Sequence, residues 1–172
     1  MNKDSILYKV VLLGALCGIC GLMLGGINSI TAPVIEAQAL AAEKENLEKI
    51  YPGASFTPVA EFEDESGLIE GIFIAEGKGT VYKLRNIGYN SNGFTFMVAF
   101  NEDGTVGGFT AVEQSETAGI GSRCFDDEYV SQVTALTSAD EAPLLSGATL
   151  TSTAIHDGIE AARAHFNGNA GN

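Results

Sequence analysis

The chain has 172 residues, 22 of them acidic and 9 basic, for a formal net charge of −13. That balance excludes nucleic acid as a partner, and no basic patch is present to hold anionic lipid. Beyond the apolar N-terminal stretch roughly 120 residues remain, enough for one hydrophobic core and not for two.

No charged residue occurs from Val10 to Ile35. A helix over residues 10–30 is long enough to cross a hydrocarbon layer of about 30 Å, so this stretch predicts a single transmembrane helix. Lys3 and Lys9 precede it, opposed only by Asp4, while Glu36, Glu43, Glu45 and Glu48 follow. The positive-inside rule then puts residues 1–9 in the cytoplasm and the rest of the chain on the extracytoplasmic side of the plasma (inner) membrane. A cleaved signal peptide is the competing reading. The apolar run is longer than a signal core, and Pro33 sits awkwardly after the small-residue site Thr31-Ala32, so a retained anchor is expected. Cys17 and Cys20 form a C-x-x-C within the span, where cysteines serve more often as packing residues than as ligands.

Thr31 and Pro33 suit a helix opening, and Val34, Leu40, Ala41, Leu47 and Ile50 give residues 31–51 an apolar stripe that ends at Pro52-Gly53. This helical stalk is expected to continue the span outward. Strand-like runs follow at Leu68 to Ala75, Thr80 to Tyr89, Phe94 to Phe100 and Thr105 to Val112. Gly77-Lys78-Gly79, Asn90-Ser91-Asn92-Gly93 and Asn101-Glu102-Asp103-Gly104 separate them and read as hairpins. The prediction is an α+β domain over residues 54–166, with a largely antiparallel sheet, flanking helices and a disordered tail at 167–172.

The acidic runs at Glu61, Glu63, Asp64, Glu65 and at Asp126, Asp127, Glu128 read as solvated surface, since their spacing does not follow a calcium loop. No metal site is expected. His156 and His165 are nine residues apart, off metal-ligand spacing, and read as surface residues. Cys124 is single within the outer domain and staples nothing.

Two segments carry chemistry. In Glu116-Thr117-Ala118-Gly119-Ile120-Gly121-Ser122-Arg123, glycines at a spacing of two let a loop hug a flat ring or a phosphate, and Glu116 and Thr117 offer polar contacts to its edge. In Ser146-Gly147-Ala148-Thr149, a threonine hydroxyl follows small residues that allow backbone amides close to a bulky anion. A helix is expected just beyond, capped by Thr151, Ser152 or Thr153, with Ile155, Ile159, Ala162 and Phe166 on its apolar face. The plain alternatives are a turn for the first segment and a helix cap for the second. Their joint presence, in this order, is more specific than either alone.

These segments resemble the FMN-binding domain shared by the G subunit of Rnf-type electron-transport complexes and the C subunit of Na+-pumping quinone reductases. The resemblance implies that FMN is bound covalently, through its phosphate, to Thr149. Ser146, Gly147 and Ala148 complete the attachment motif, while Glu116, Thr117, Gly119 and Gly121 shape the surroundings of the ring. Ala118 stands where the family usually has proline, and Pro143 where it usually has aspartate, with Asp140 and Glu141 nearby. The chain is short for the quinone-reductase subunit, so the Rnf G subunit is the closer match.

The resemblance further implies an electron relay that is not catalytic alone, within an oxidoreductase coupling ferredoxin:NAD electron transfer to Na+ or H+ movement. Its implied partners are the other membrane subunits and, during maturation, a flavin transferase that takes FMN from FAD. Two other readings stay open. One is an anchored flavoprotein serving extracellular acceptors outside any pump. The other is a structural subunit that carries no flavin.

Overall fold

The computed structural model describes residues 6–169, excepting the side chains of Leu7 and Glu36. It divides into two compact units, one reaching to Ala42 and the other starting at Glu43. Lys3, Asp4 and positions 170–172, on which part of the orientation and tail readings rests, lie outside the described residues.

Helix α1 runs without a break from Ile6 to Ile50. It is the one helix among the described residues long and apolar enough to cross a membrane, and the most apolar window is wholly exposed. Apolar side chains on every side, such as Val10, Val11, Leu12, Leu13 and Leu22, fit a lipid-facing helix. The hydroxyls of Ser29 and Thr31 are satisfied locally. Ser29 Oγ donates to the Gly25 carbonyl at 2.7 Å and Thr31 Oγ1 to the Ile27 carbonyl at 3.1 Å. Pro33, read with Thr31 as suiting a helix opening, lies inside α1. A proline removes one backbone donor and bends a helix without having to end it.

In the second unit a five-stranded antiparallel sheet follows chain order: β1 (Phe56–Pro58), β2 (Ile69–Ala75), β3 (Gly79–Asn86), β4 (Phe94–Asn101) and β5 (Val106–Gln114). The short edge strand β1 has no counterpart among the predicted runs. The other four match them to within a few residues. The largest difference is β3, which stops at Asn86 and frees Ile87 to Tyr89 for another role.

Strand β4 is buried on both faces, because alternate side chains enter different cores. Phe94, Phe96, Val98 and Phe100 join the cluster that holds Ile155, Ile159 and Ala162 of helix α3 (Thr149–Asn169). Met97 and Ala99 join Leu47, Tyr51, Phe73 and Val81, so the last turns of α1 after Glu43 cover the opposite face. Ile155 and Ile159 are fully buried, and each such burial stabilises by about 1.5–3 kcal/mol.

After β5 the chain makes a 3-10 turn, Gly121–Phe125, and helix α2, Asp127–Thr134. Part of the second acidic run thereby becomes the first turn of α2, where Asp127 and Glu128 favour the positive helix end. Helix α3 also reaches farther than predicted, keeping 167–169 helical. Nor are the histidines simply surface groups. Both are half-buried, with His165 Nδ1 at 3.2 Å from the Tyr82 hydroxyl and His156 Nδ1 at 3.3 Å from the Ala142 carbonyl.

Candidate functional site

The first helical hydrogen bond of α3 runs from the Ser152 amide to the Ala148 carbonyl, at 2.9 Å. Ala148 therefore holds the capping position without a side-chain oxygen to cap with. The amides of Thr149, Leu150 and Thr151 have no carbonyl one turn back to bond, which leaves them for another acceptor. The expectation that Thr151, Ser152 or Thr153 caps the helix is corrected, because all three lie inside it. The physical reason is that the Thr151 and Ser152 hydroxyls are buried and engage other segments. Ser152 Oγ accepts from the Leu145 amide at 3.0 Å and donates to the Thr149 carbonyl at 3.2 Å. Thr151 Oγ1 donates to Glu116 Oε2 at 3.0 Å.

Glu116 is 7% exposed, and its carboxylate is the knot of the site. Besides the Thr151 hydroxyl it accepts the Asn90 amide, at 3.3 and 3.4 Å from its two oxygens. The Tyr89 amide donates to Thr151 Oγ1 at 3.2 Å. One buried carboxylate thus gathers the segment after β3, the loop after β5 and the start of α3. The approach is so close that a Cβ on Gly88 would come 2.7 Å from Glu116 Oε1, and one on Gly121 would overlap Glu116 Oε2. Glycine is demanded at both positions by space.

The loop between Glu116 and the 3-10 turn is held by its own backbone. The Thr117 carbonyl accepts the amides of Ile120 and Ser122 at 3.0 and 3.3 Å, and the Gly119 amide donates to Ser122 Oγ at 3.0 Å. Arg123 then reaches the attachment motif, donating from Nη1 to the Ser146 carbonyl at 3.2 Å. A Cβ on Gly147 would lie 3.3 Å from that nitrogen. Ser146, Gly147 and Thr149 are exposed, as are Thr117 and Gly119, whereas Ala148, Glu116 and Gly121 are buried. The first motif reaches the second through Arg123 with Ser146, and reaches α3 two residues beyond it through Glu116 with Thr151.

The loop before α3 is also tied down. The Pro143 carbonyl accepts the Tyr129 hydroxyl at 2.8 Å, and the Asp140 carbonyl accepts Arg163 Nη1 at 2.7 Å. Asp140 Oδ2 takes the Thr137 amide and hydroxyl at 2.9 and 2.6 Å, bonds that hold its carboxyl below the usual aspartate range. Burial, with the Glu116 charge beside it, pushes the Cys124 thiol up to about 11, so it stays protonated at neutral pH. A cleft of about 1260 Å³ lies by Phe62, Tyr82, His165 and Phe166 and touches neither motif.

Sequence reasoning singled out neither Arg123 nor the strap Gly88-Tyr89-Asn90 as part of the site. Arg123 closes the Gly-x-Gly segment, and a cation placed there was the available signal. The strap carried only a turn signal, and its role depends on a register that brings it to α3.

Residues 88–164 match the sequence profile described as an FMN-binding domain. No match is found among curated proteins. The matched stretch opens on the strap, takes in both motifs and ends within α3. Its donor set fits a phosphate monoester: an exposed hydroxyl at Thr149, helix amides without acceptors, and a guanidinium whose remaining N–H groups are available beside Gly147. Over residues 88–164 the chain is similar to the FMN-binding domain family, which supports a flavin-binding, redox-related protein.

Proposed function

We propose that Thr149 carries FMN through a phosphoester, and that the chain is the anchored flavoprotein subunit of an Rnf-type complex coupling ferredoxin:NAD electron transfer to Na+ or H+ movement. The observation that carries the reading is the position of Thr149, an exposed hydroxyl at the first residue of α3 directly behind Ser146-Gly147-Ala148. The amides of Thr149 to Thr151 and the Arg123 guanidinium would share the phosphate charge, the helix end contributing about 0.3–1 kcal/mol when exposed. Glu116, hidden behind α3, holds the Gly119–Gly121 loop at a fixed separation from the attachment oxygen. Bound FMN supplies one- and two-electron transfer, and this chain's task is to hold and orient it.

The linkage is an anchor and takes no part in turnover. Its formation from FAD breaks the pyrophosphate bond, joins the FMN phosphorus to Thr149 Oγ1 and releases AMP, a step assigned to the flavin transferase. Helix α1 supplies the membrane span, with the N-terminus in the cytoplasm and the flavin unit outside. Little free FMN exists there to replace a lost cofactor, which favours a tether. The other partners are the membrane subunits whose redox centres exchange electrons with the flavin.

The test uses full-length protein from a host with an active transferase. Mass spectrometry should find the FMN adduct on the Thr149 peptide, and Thr149→Ala should abolish flavin fluorescence of the denatured protein in a gel. Co-purification of polytopic redox subunits tests the complex. An unmodified Thr149 peptide overturns the flavin reading, and an adduct without polytopic partners overturns the assignment to a pump.

A further inference from the structure

We infer that Tyr89 forms an aromatic plate on which the isoalloxazine ring of a flavin joined to Thr149 packs. This rests on the FMN reading above and extends it to a residue outside both motifs.

The first observation is where apolar surface remains. Five large hydrophobic residues of the unit that starts at Glu43 are exposed among the described residues: Ile74, Ile87, Tyr89, Leu144 and Leu150. All but Ile74 flank the start of α3. Leu150 follows the attachment threonine, Leu144 precedes the motif, Ile87 precedes the strap and Tyr89 lies on it. Tyr89, 53% exposed, is the only aromatic residue in the exposed class among those described. Every other phenylalanine or tyrosine there has found at least partial cover.

The second observation is rigidity. Tyr89 belongs to no strand, yet three residues of its segment are bound to α3 or to the knot. Asn86 Nδ2 donates to the Ala154 carbonyl at 2.8 Å, the Tyr89 amide to Thr151 Oγ1, and the Asn90 amide to Glu116. A loose loop would pay entropy each time its side chain met a ligand, and this one is already ordered. A flat, electron-rich ring on a fixed backbone suits offset stacking against another flat ring.

The third observation commits the plate to one occupant. The strap is hydrogen-bonded to Thr151, two residues beyond the attachment oxygen, and the flexible ribityl chain of FMN leaves the ring free to fold back over this end of α3. The match to the FMN-binding domain begins at Gly88, the residue before the plate. The ring covers apolar surface that water would otherwise wet.

The experiment compares full-length wild type, Tyr89→Leu and Tyr89→Trp, all prepared from the host with active transferase. Adduct mass on the Thr149 peptide is read first, then native flavin emission relative to the unfolded protein, then the midpoint potential. Stacking on an electron-rich ring quenches flavin emission. Wild type should therefore be quenched when native and recover severalfold on unfolding, and the tryptophan variant should do the same. The leucine variant should keep the adduct and gain emission severalfold in the native state, with a shifted potential that tryptophan restores. An adduct-bearing leucine variant with wild-type emission overturns the plate and leaves the attachment reading intact. If that variant also loses its polytopic partners, the surface is a protein contact and the plate is again overturned. No adduct in wild type sinks the FMN reading and this inference together.

Discussion

The Thr151 hydroxyl and the Glu116 carboxylate, 35 residues apart in sequence, meet at 3.0 Å in a buried position. Through this one hydrogen bond the start of α3 and the glycine loop become a single surface. A buried carboxylate that loses a donor bears a desolvation penalty, which makes the pair costly to break from either side.

Thr151→Val should accordingly destabilise the protein by about 1–3 kcal/mol, the range for an acceptor left unsatisfied in the interior. Urea unfolding measures the loss. Because the Tyr89 amide also uses Thr151 Oγ1, hydrogen exchange at Tyr89 should quicken in the same variant. Unchanged stability would mean that the knot contributes nothing.

Thr149→Ala should behave in the opposite way. Its side chain is exposed and donates no described hydrogen bond, so unfolding free energy should stay within about 0.5 kcal/mol of wild type. Flavin on the corresponding peptide should vanish. The two neighbouring threonines are thus separable, one by stability and the other by the mass of its peptide.

Gly158→Ala tests how tightly α3 sits on the sheet. A Cβ there would come 2.7 Å from Phe96 Cζ, and Phe96 is fully buried in a strand covered on both faces. Alanine gains roughly 1 kcal/mol of helix propensity over glycine. Overpacking a site that cannot yield costs about 1–3 kcal/mol, so the net change should be destabilising, read as a lower midpoint in urea.

Alkaline pH should unfold the protein in a window set by its buried acids. Burial, with the nearby Asp103 charge, pushes the Tyr51 hydroxyl up from 10.0 to about 12, and burial raises Cys124 from 9.0 to about 11. Tyr82 and Tyr129 are raised as well, in both cases mainly by burial. Since the folded values exceed the unfolded ones, the unfolded chain loses protons first. The stabilisation is complete below the unfolded values and is lost as pH climbs from about 9 towards 12. Urea midpoints across that range should fall, and Cys124 should resist iodoacetamide at neutral pH until the protein unfolds.

Local pattern alone carried much of the architecture. The uncharged run from Val10 predicted an apolar helix long enough to cross a membrane, and alternation with glycine-bearing turns predicted the strands now numbered β2 to β5, because strand faces and hairpins are written in residues a few positions apart. The Ser-Gly-Ala-Thr and Glu-Thr-x-Gly segments were legible for the same reason, as short stretches whose composition already suits a phosphate or a ring. Pattern failed where a residue's partner is distant. Nothing near Thr151 in sequence announces that its hydroxyl is spent on Glu116, so it was read as a cap, and nothing near Tyr89 says that β3 ends early to lay it against α3. Composition determined which chemistry this chain can host; only tertiary structure decided which hydroxyl is left facing solvent, because burial and hydrogen-bond partners are set by segments that meet on folding.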